Sequence, residues 1–190
     1  MRRLLPFLAL AIAAPLLSGC FGLAAGGIGA AALLVDDRRT TGIYVEDENI
    51  EWKALARINA DFKGSHVNAT SFNRKVLLTG EVSTEETKAA VEKAIRAIPS
   101  VRDVANELAI AGNSSITSRG NDSLITSNVK ARMVGNGKFS PNHVKVVTEA
   151  GAVFLMGLVT PAEGDAAVEV ARSTAGVSRV VKVFEYVEAK

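Results

Sequence analysis

The sequence has very little of what most catalytic or metal sites require. Cys20 is the one cysteine among 190 residues, which excludes an internal disulfide framework and a zinc site built from cysteines. The two histidines are His66 and His143, and neither lies in an H-E-x-x-H or nucleophile-elbow motif. We therefore predict no enzyme activity, no catalytic residues, no cofactor and no metal site.

Aromatic residues and net charge are scarce as well. Aromatics make up 5% of the chain, hydrophobic residues 48% and charged residues 22%, which excludes a disordered chain and a multispanning membrane protein. The 22 basic and 20 acidic residues give a net charge of +2, but Arg2 and Arg3 lie in a segment that we expect to be cleaved. The mature chain is then neutral, so we expect no nucleic-acid binding.

The first twenty residues have the layout of a bacterial export signal. A basic start precedes an uncharged apolar run over residues 4–17, and small residues follow. The sequence Leu-Ser-Gly-Cys at 17–20 resembles the lipobox of bacterial lipoproteins, in which the cysteine is acylated and becomes the new amino terminus. We predict a signal peptide over 1–19 and acylation of Cys20. The alternatives are a buried structural cysteine and an uncleaved membrane helix, since the uncharged run continues to Val35.

The residues after the cysteine predict a tether and a destination. Residues 20–45 begin with a Gly/Ala-rich stretch that is unfavourable for a stable isolated helix. Several acyl chains hold a protein at a bilayer stably, where one chain holds it marginally. Phe21 follows the cysteine in place of Asp, and by resemblance to lipoproteins of Gram-negative bacteria this predicts the periplasmic face of the outer membrane.

Beyond the tether the chain repeats itself. At an offset of 77, Gly80 aligns with Gly157 and His66 with His143, and the preceding helical stretches align at an offset of 75. Two copies of one module of roughly 65 residues follow. Because both copies carry the histidine at the same strand start, we expect a structural role or solvent exposure for it, and no ligand role.

Each copy has the element order α-β-β-α-β. The helix that opens the second copy places Ile125, Val129 and Met133 on one face, and two strands with period-two alternation follow. Capping boxes, Ser83-x-x-Glu86 and Thr160-x-x-Glu163, start the second helix of each copy. We predict an α+β protein with two tandem modules, each a three-stranded sheet with helices on one face. The modules span 46–110 and 121–190, and residues 111–120 link them.

The repeated unit resembles the BON domain. The strand pattern Val-x-Leu-x-Gly-x-Val occurs at 76–82 and at 153–159. A lipobox followed by two such units resembles outer-membrane lipoproteins of the BON family. The resemblance implies a periplasm-facing protein that binds anionic phospholipids, such as phosphatidylglycerol and cardiolipin, through its second BON domain. It further implies concentration at the division site and support of envelope integrity.

The opening helix of the second copy is the candidate for lipid contact. Residues 121–138 hold one acidic and three basic side chains, whereas residues 46–63 hold five acidic and three basic ones. An anionic surface attracts the former by about 1 kcal/mol per basic residue near the headgroups. Helical geometry places a second face away from the core stripe, with these predicted phospholipid-binding residues: Leu124, Ser127, Asn128, Lys130, Ala131 and Val134. An ordinary solvated face is the alternative.

A second surface concerns the sheet of the second copy. Its outward positions Phe154, Met156 and Leu158 are as apolar as its inward ones, and a sheet that is apolar on both faces needs cover on both. We expect the first module or the linker to pack there. A protein partner is the alternative, which gives the second functional hypothesis, an adaptor for envelope assembly or cell-wall remodelling factors. An envelope hydrolase is a distant third, because no cluster of polar residues suits it.

Overall fold

The computed structural model describes residues 36–112 and 116–188. Cys20, the predicted signal peptide and most of the predicted tether lie outside the described residues. None of the helices that are described has the length and apolarity needed to span a bilayer. The elements, in chain order, are α1 Thr41–Asp61, β1 His66–Phe72, β2 Lys75–Val82, α2 Glu85–Arg96, β3 Asp103–Asn106, β4 Ala109–Ile110, α3 Ile116–Val134, a 3₁₀ turn Pro141–His143, β5 Val144–Glu149, β6 Ala152–Val159, α4 Pro161–Arg172 and β7 Arg179–Tyr186.

Both modules have the predicted α-β-β-α-β order. The first two strands form an antiparallel hairpin, and the last strand lies parallel to the central one, so each sheet is mixed. The predicted last strand of the first module is divided into β3 and β4, which lie beside successive parts of β2. Leu108, between them, is 2% exposed and belongs to the module core. The α+β class and the three-stranded sheet are confirmed.

A buried carboxylate at the start of each module holds the β-hairpin turn. Asp47 accepts hydrogen bonds from the amides of Asn73 and Arg74 at 2.8 and 2.7 Å, and from Ser71 Oγ at 2.6 Å. Asp122 accepts from the amides of the second turn at 2.9 and 2.8 Å. Because both turns have positive φ at their two central residues, their amides point to one side, where a single carboxylate satisfies both.

Glycine is required where the two central strands approach the strand before them. A Cβ at Gly80 would lie 2.0 Å from the carbonyl oxygen of His66, and one at Gly157 would lie 2.3 Å from that of His143. No side chain fits at either distance. The close approach explains the glycine in the repeated strand pattern, and it fixes each histidine beside the central strand.

The buried apolar side chains of the described residues form three clusters. One lies between helices and sheet in the first module and one in the second, with Ile125, Val129 and Met133 buried as the spacing indicates. The third cluster lies between the two sheets, where Phe72 and Leu77 of the first module meet Phe154 and Met156 of the second. The helix-free faces of the sheets therefore pack against each other.

Two details of the helix ends differ from the prediction. The helices α1 and α3 begin at Thr41 and Ile116, inside the segments predicted as tether and linker. The Thr40 hydroxyl caps α1 by accepting from the Ile43 amide, and the glycine in each early turn is tolerated within the folded context. The predicted capping box at Ser83 is wrong, because α2 starts one residue later and Thr84 is its N-cap. The Thr160 box is confirmed.

Candidate functional site

The outward face of α3 is an exposed stripe with an apolar residue towards each end. The side chains of Leu124 and Val134 are 65% and 72% exposed. All six side chains predicted for lipid contact, namely Leu124, Ser127, Asn128, Lys130, Ala131 and Val134, are exposed. The core stripe of the same helix is buried, so the helix places its predicted contact residues on the opposite side from the module core.

Fewer charges are free to interact near this stripe than the sequence count of three basic residues and one acidic residue in 121–138 suggests. Arg132 donates to the carbonyl and hydroxyl oxygens of Ser173, so its guanidinium is held by the end of α4. Asp122 is buried under the β5–β6 turn. Lys130 and Lys138 are exposed and have no hydrogen-bond or ion-pair partner among the described residues. Within residues 121–138, the cations available to an anionic surface are therefore these two lysines.

Two serine hydroxyls on this side of α3 are satisfied within the helix. Ser127 Oγ donates to the carbonyl oxygen of Ser123 at 2.9 Å, and Ser123 Oγ donates to that of Arg119 at 3.1 Å. A hydroxyl already bonded to its own helix loses less when water is removed than a hydroxyl without a protein partner does. This lowers the free-energy cost of placing the face against a lipid headgroup layer.

The apolar face of the second sheet is covered by the first module. Phe154 and Met156 are each 1% exposed, and Leu77 of the first module is fully buried with them. Leu158 is partly buried at the edge of the same cluster. The sequence does not indicate that Leu77, Thr79 and Glu81 of the first module become buried on the facing sheet. This face of the first sheet carries both polar and apolar side chains, so its burial becomes evident only when the two modules are seen docked.

Charged pairs surround this apolar contact. Lys145 Nζ donates to Glu51 Oε1 at 2.7 Å and to the carbonyl oxygen of Ser71 at 3.2 Å. On another side Arg102 is paired with Glu185. These links join residues of the two modules that are more than 70 positions apart in the chain.

The capping carboxylate of α4 receives a further partner from the segment before α1. The Arg38 guanidinium donates to both oxygens of Glu163, at 2.7 and 2.9 Å, and to the Leu158 carbonyl oxygen at 2.8 Å. Partial burial opposes ionisation of Glu163, but the Arg38 guanidinium and the Thr160 amide outweigh it and lower the pKa of this carboxyl to about 2. The Glu163 carboxyl is therefore ionised, and its pair with Arg38 is formed, at neutral and mildly acidic pH.

The repeated carboxylates Asp47 and Asp122 are the residues that sequence reasoning overlooked. The sequence does contain an indication of their role, because the two aspartates align with each other at the same offset of 75 as the opening helices of the two modules. An acidic residue near a helix start is ordinary, and only the turn amides in space give these two their role.

Comparison with known proteins adds to this geometry. Two segments of the chain, residues 46–112 and 121–188, match the BON domain. The chain belongs to the BON family. It is 36% identical over 175 residues to the outer membrane lipoprotein DolP of Haemophilus influenzae, an alignment that covers 90% of this chain and 91% of that protein.

Two further relatives are more distant. The chain is 33% identical over 155 residues to a 21 kDa hemolysin of Actinobacillus pleuropneumoniae, covering 80% of each. It is 26% identical over 144 residues to osmotically-inducible protein Y of Escherichia coli K12, covering 73% of this chain and 72% of that protein. The outer-membrane location expected from Phe21, the residue after the lipobox cysteine, agrees with the description of the Haemophilus relative.

Proposed function

We propose that this protein is an outer-membrane lipoprotein, anchored through Cys20, whose second BON module contacts anionic phospholipid on the periplasmic face. The observation that carries the proposal is the exposed stripe of α3, with apolar side chains at Leu124 and Val134. Beside them lies Lys130, for which the described part of the chain offers no partner. The similarity to an outer membrane lipoprotein over nine-tenths of the chain supports the location. The family resemblance supports a role in envelope integrity at the division site.

The binding free energy expected for α3 indicates which part of membrane attachment comes from the helix and which from the acyl anchor. Half-burial of one leucine and one valine, together with one lysine near the headgroups, is worth roughly 3–4 kcal/mol. This corresponds to a dissociation constant of about 1–6 mM, which is too weak to recruit a protein from solution unless lipid is present at millimolar concentration. An acyl anchor makes the second contact intramolecular, so the helix then orients a module that is already at the bilayer.

Vesicle flotation of a fragment covering residues 36–190 tests the proposal, since the three apolar clusters of the fold lie within that range. At about 5 mM lipid, we expect the fragment to float with vesicles containing phosphatidylglycerol or cardiolipin, and less at high salt. Phosphatidylcholine vesicles should recruit it less. Leu124→Glu should abolish flotation, because it removes the apolar contact and adds a repelled charge.

Leu55→Glu is the matched control. Leu55 is 47% exposed on α1 of the first module, so the substitution is the same but lies on the helix that carries more acidic residues. We expect it to leave flotation unchanged. Unchanged flotation of Leu124→Glu would remove α3 from the proposal.

The adaptor hypothesis makes a different prediction for the same fragment. It assigned a partner to Phe154, Met156 and Leu158, but the first module covers that face. Salt-insensitive capture of envelope proteins without any vesicle binding would favour an adaptor. Flotation that depends on anionic lipid favours membrane contact.

A further inference from the structure

Three metal-ligating side chains from both modules converge beside the apolar contact between the sheets. His66 lies at the start of β1, Glu81 lies directly opposite on β2, and Glu149 ends β5 of the other module. His66 Nδ1 is 2.9 Å from Glu81 Oε2 and 3.9 Å from Glu149 Oε1. One donor atom from each of the three residues lies within 4.8 Å of the other two.

These separations suit a small divalent ion. A first-row metal ion binds nitrogen and oxygen donors at about 2.0–2.2 Å, which places neighbouring donors about 3–4 Å apart. One imidazole with two carboxylates is a donor set for zinc and related transition metals. The three side chains are only 15%, 7% and 11% exposed, and each belongs to a strand, so little rearrangement is needed to bring the donors onto one ion.

An outer residue orients two of the donors. The Asn68 amide donates to Glu149 Oε2 at 2.9 Å and lies 3.3 Å from His66 Nε2. Ligating histidines and carboxylates are ordinarily held in this way by a second layer of hydrogen bonds. With Nδ1 on the ion, Nε2 carries the ring proton, so the Asn68 amide has to turn its carbonyl oxygen towards Nε2 to accept it. A groove of about 530 Å³ opens onto His66, Asn68 and Glu149 and gives an ion access.

The second copy of the module lacks this arrangement. His143 is the repeat equivalent of His66, but Leu158 stands where the first module has Glu81. His143 Nδ1 instead lies 3.7 Å from Glu163, and that carboxylate is already paired with Arg38. Of the two equivalent histidines, His66 therefore has two carboxylates placed to share a metal ion with it, and His143 does not. One of these carboxylates, Glu149, belongs to the second module.

We infer that His66, Glu81 and Glu149 bind a divalent transition-metal ion that fastens the two BON modules together. The inference does not depend on lipid binding, because the site lies on other residues than the exposed stripe of α3. It also departs from the structural role that the sequence indicates for both histidines.

Titration of the mature, acylated full chain in detergent, carrying no histidine tag and freed of metal with a chelator, tests the site with Zn²⁺ as the probe. Calorimetry should give one ion per chain. At about 100 times the dissociation constant, Zn²⁺ should raise the melting temperature by roughly 5–10 °C, because only the docked modules form the site. Glu149→Gln should lose both effects, and His66→Gln should too. His143→Gln should keep them.

Two readouts make the outcome decisive if a variant is destabilised. Far-ultraviolet circular dichroism reports whether each variant is folded at the titration temperature. The wild-type protein loaded with Co²⁺ should have visible absorption typical of nitrogen and oxygen ligands. Absence of saturable Zn²⁺ binding by the wild type would overturn the site, and so would equal loss in His143→Gln and His66→Gln.

Discussion

Single residues with several partners hold this fold together at its turns. Asp47 is 2% exposed and is bonded to two turn amides, to Ser71 and to Arg39, whose guanidinium also lies 4.0 Å from the centre of the Phe72 ring. Asp122, at the equivalent place in the second module, accepts from two amides. A buried carboxylate is tolerated only when such partners offset its lost hydration. Both modules have the buried carboxylate, and in the first module Arg39 also pairs with it.

Removal of these carboxylates should affect the two modules unequally. Asp47→Ala removes the acceptor of two turn amides and the anion paired with Arg39, so we expect the free energy of unfolding to fall by about 3–5 kcal/mol. Asp122→Ala should cost about 2–3 kcal/mol. Urea unfolding midpoints measure both. Asp61→Ala, at a half-exposed surface pair, serves as the control and should change stability by at most about 0.5 kcal/mol. Equal losses for the two buried positions would contradict the role of Arg39.

At the scale of elements, the start of α4 depends on a residue far away in the chain. Its capping box joins Thr160 and Glu163, as the sequence predicts from local spacing. Arg38, 125 residues earlier, completes the site, and no local pattern predicts that contact. The helix end is thus specified by local sequence and further stabilised by the segment that leads into the first module.

Acid titration should reveal the contribution of Arg38. The pKa of Glu163 is lowered from its ordinary value of 4.5 to about 2, so its stabilisation is fully present above about pH 4.5 and is lost as the pH falls towards 2. Arg38→Gln should lower stability at neutral pH by about 1 kcal/mol, and it should reduce the loss on acidification across that window. Stability curves of both proteins from about pH 6 to about pH 2 measure this. Parallel curves would be the contrary result.

For the whole molecule, the decisive contact is sheet against sheet. Phe154 and Met156 would be an exposed apolar surface in an isolated second module, and burial against Phe72 and Leu77 removes that surface from water. Full burial of side chains of this size stabilises by about 1.5–3 kcal/mol each. The docking leaves the α3 stripe exposed.

Truncation at the centre of this contact should weaken the whole pair. Phe154 is 1% exposed, so Phe154→Ala should lower the free energy of unfolding by about 3–5 kcal/mol through lost contacts and a cavity. Leu124→Ala, on the exposed stripe, should change it by at most about 0.5 kcal/mol. Guanidinium unfolding of the 36–190 fragment measures both. A loss below about 1 kcal/mol for Phe154→Ala would show that the modules are not coupled through this cluster.

Local pattern in the sequence determined much of this protein. The repeat, the order of elements, the buried stripe of α3 and the Thr160 cap all depend on spacing within one module, where the periods of helix and strand restrict the choices. The early starts of α1 and α3 and the division of the last strand of the first module were not predicted. These boundaries depend on contacts with other elements, such as the burial of Leu108 in the module core between β3 and β4.

Only the tertiary structure decided what lies between the modules. The burial of Leu77 against Phe154, the pairing of Arg38 with Glu163 and the meeting of His66 with Glu149 join residues 77 to 125 positions apart. Such contacts depend on the orientation in which two finished sheets dock. The periodicity of a helix or strand predicts only which side of that element is apolar, so it cannot predict how the two sheets are oriented on each other.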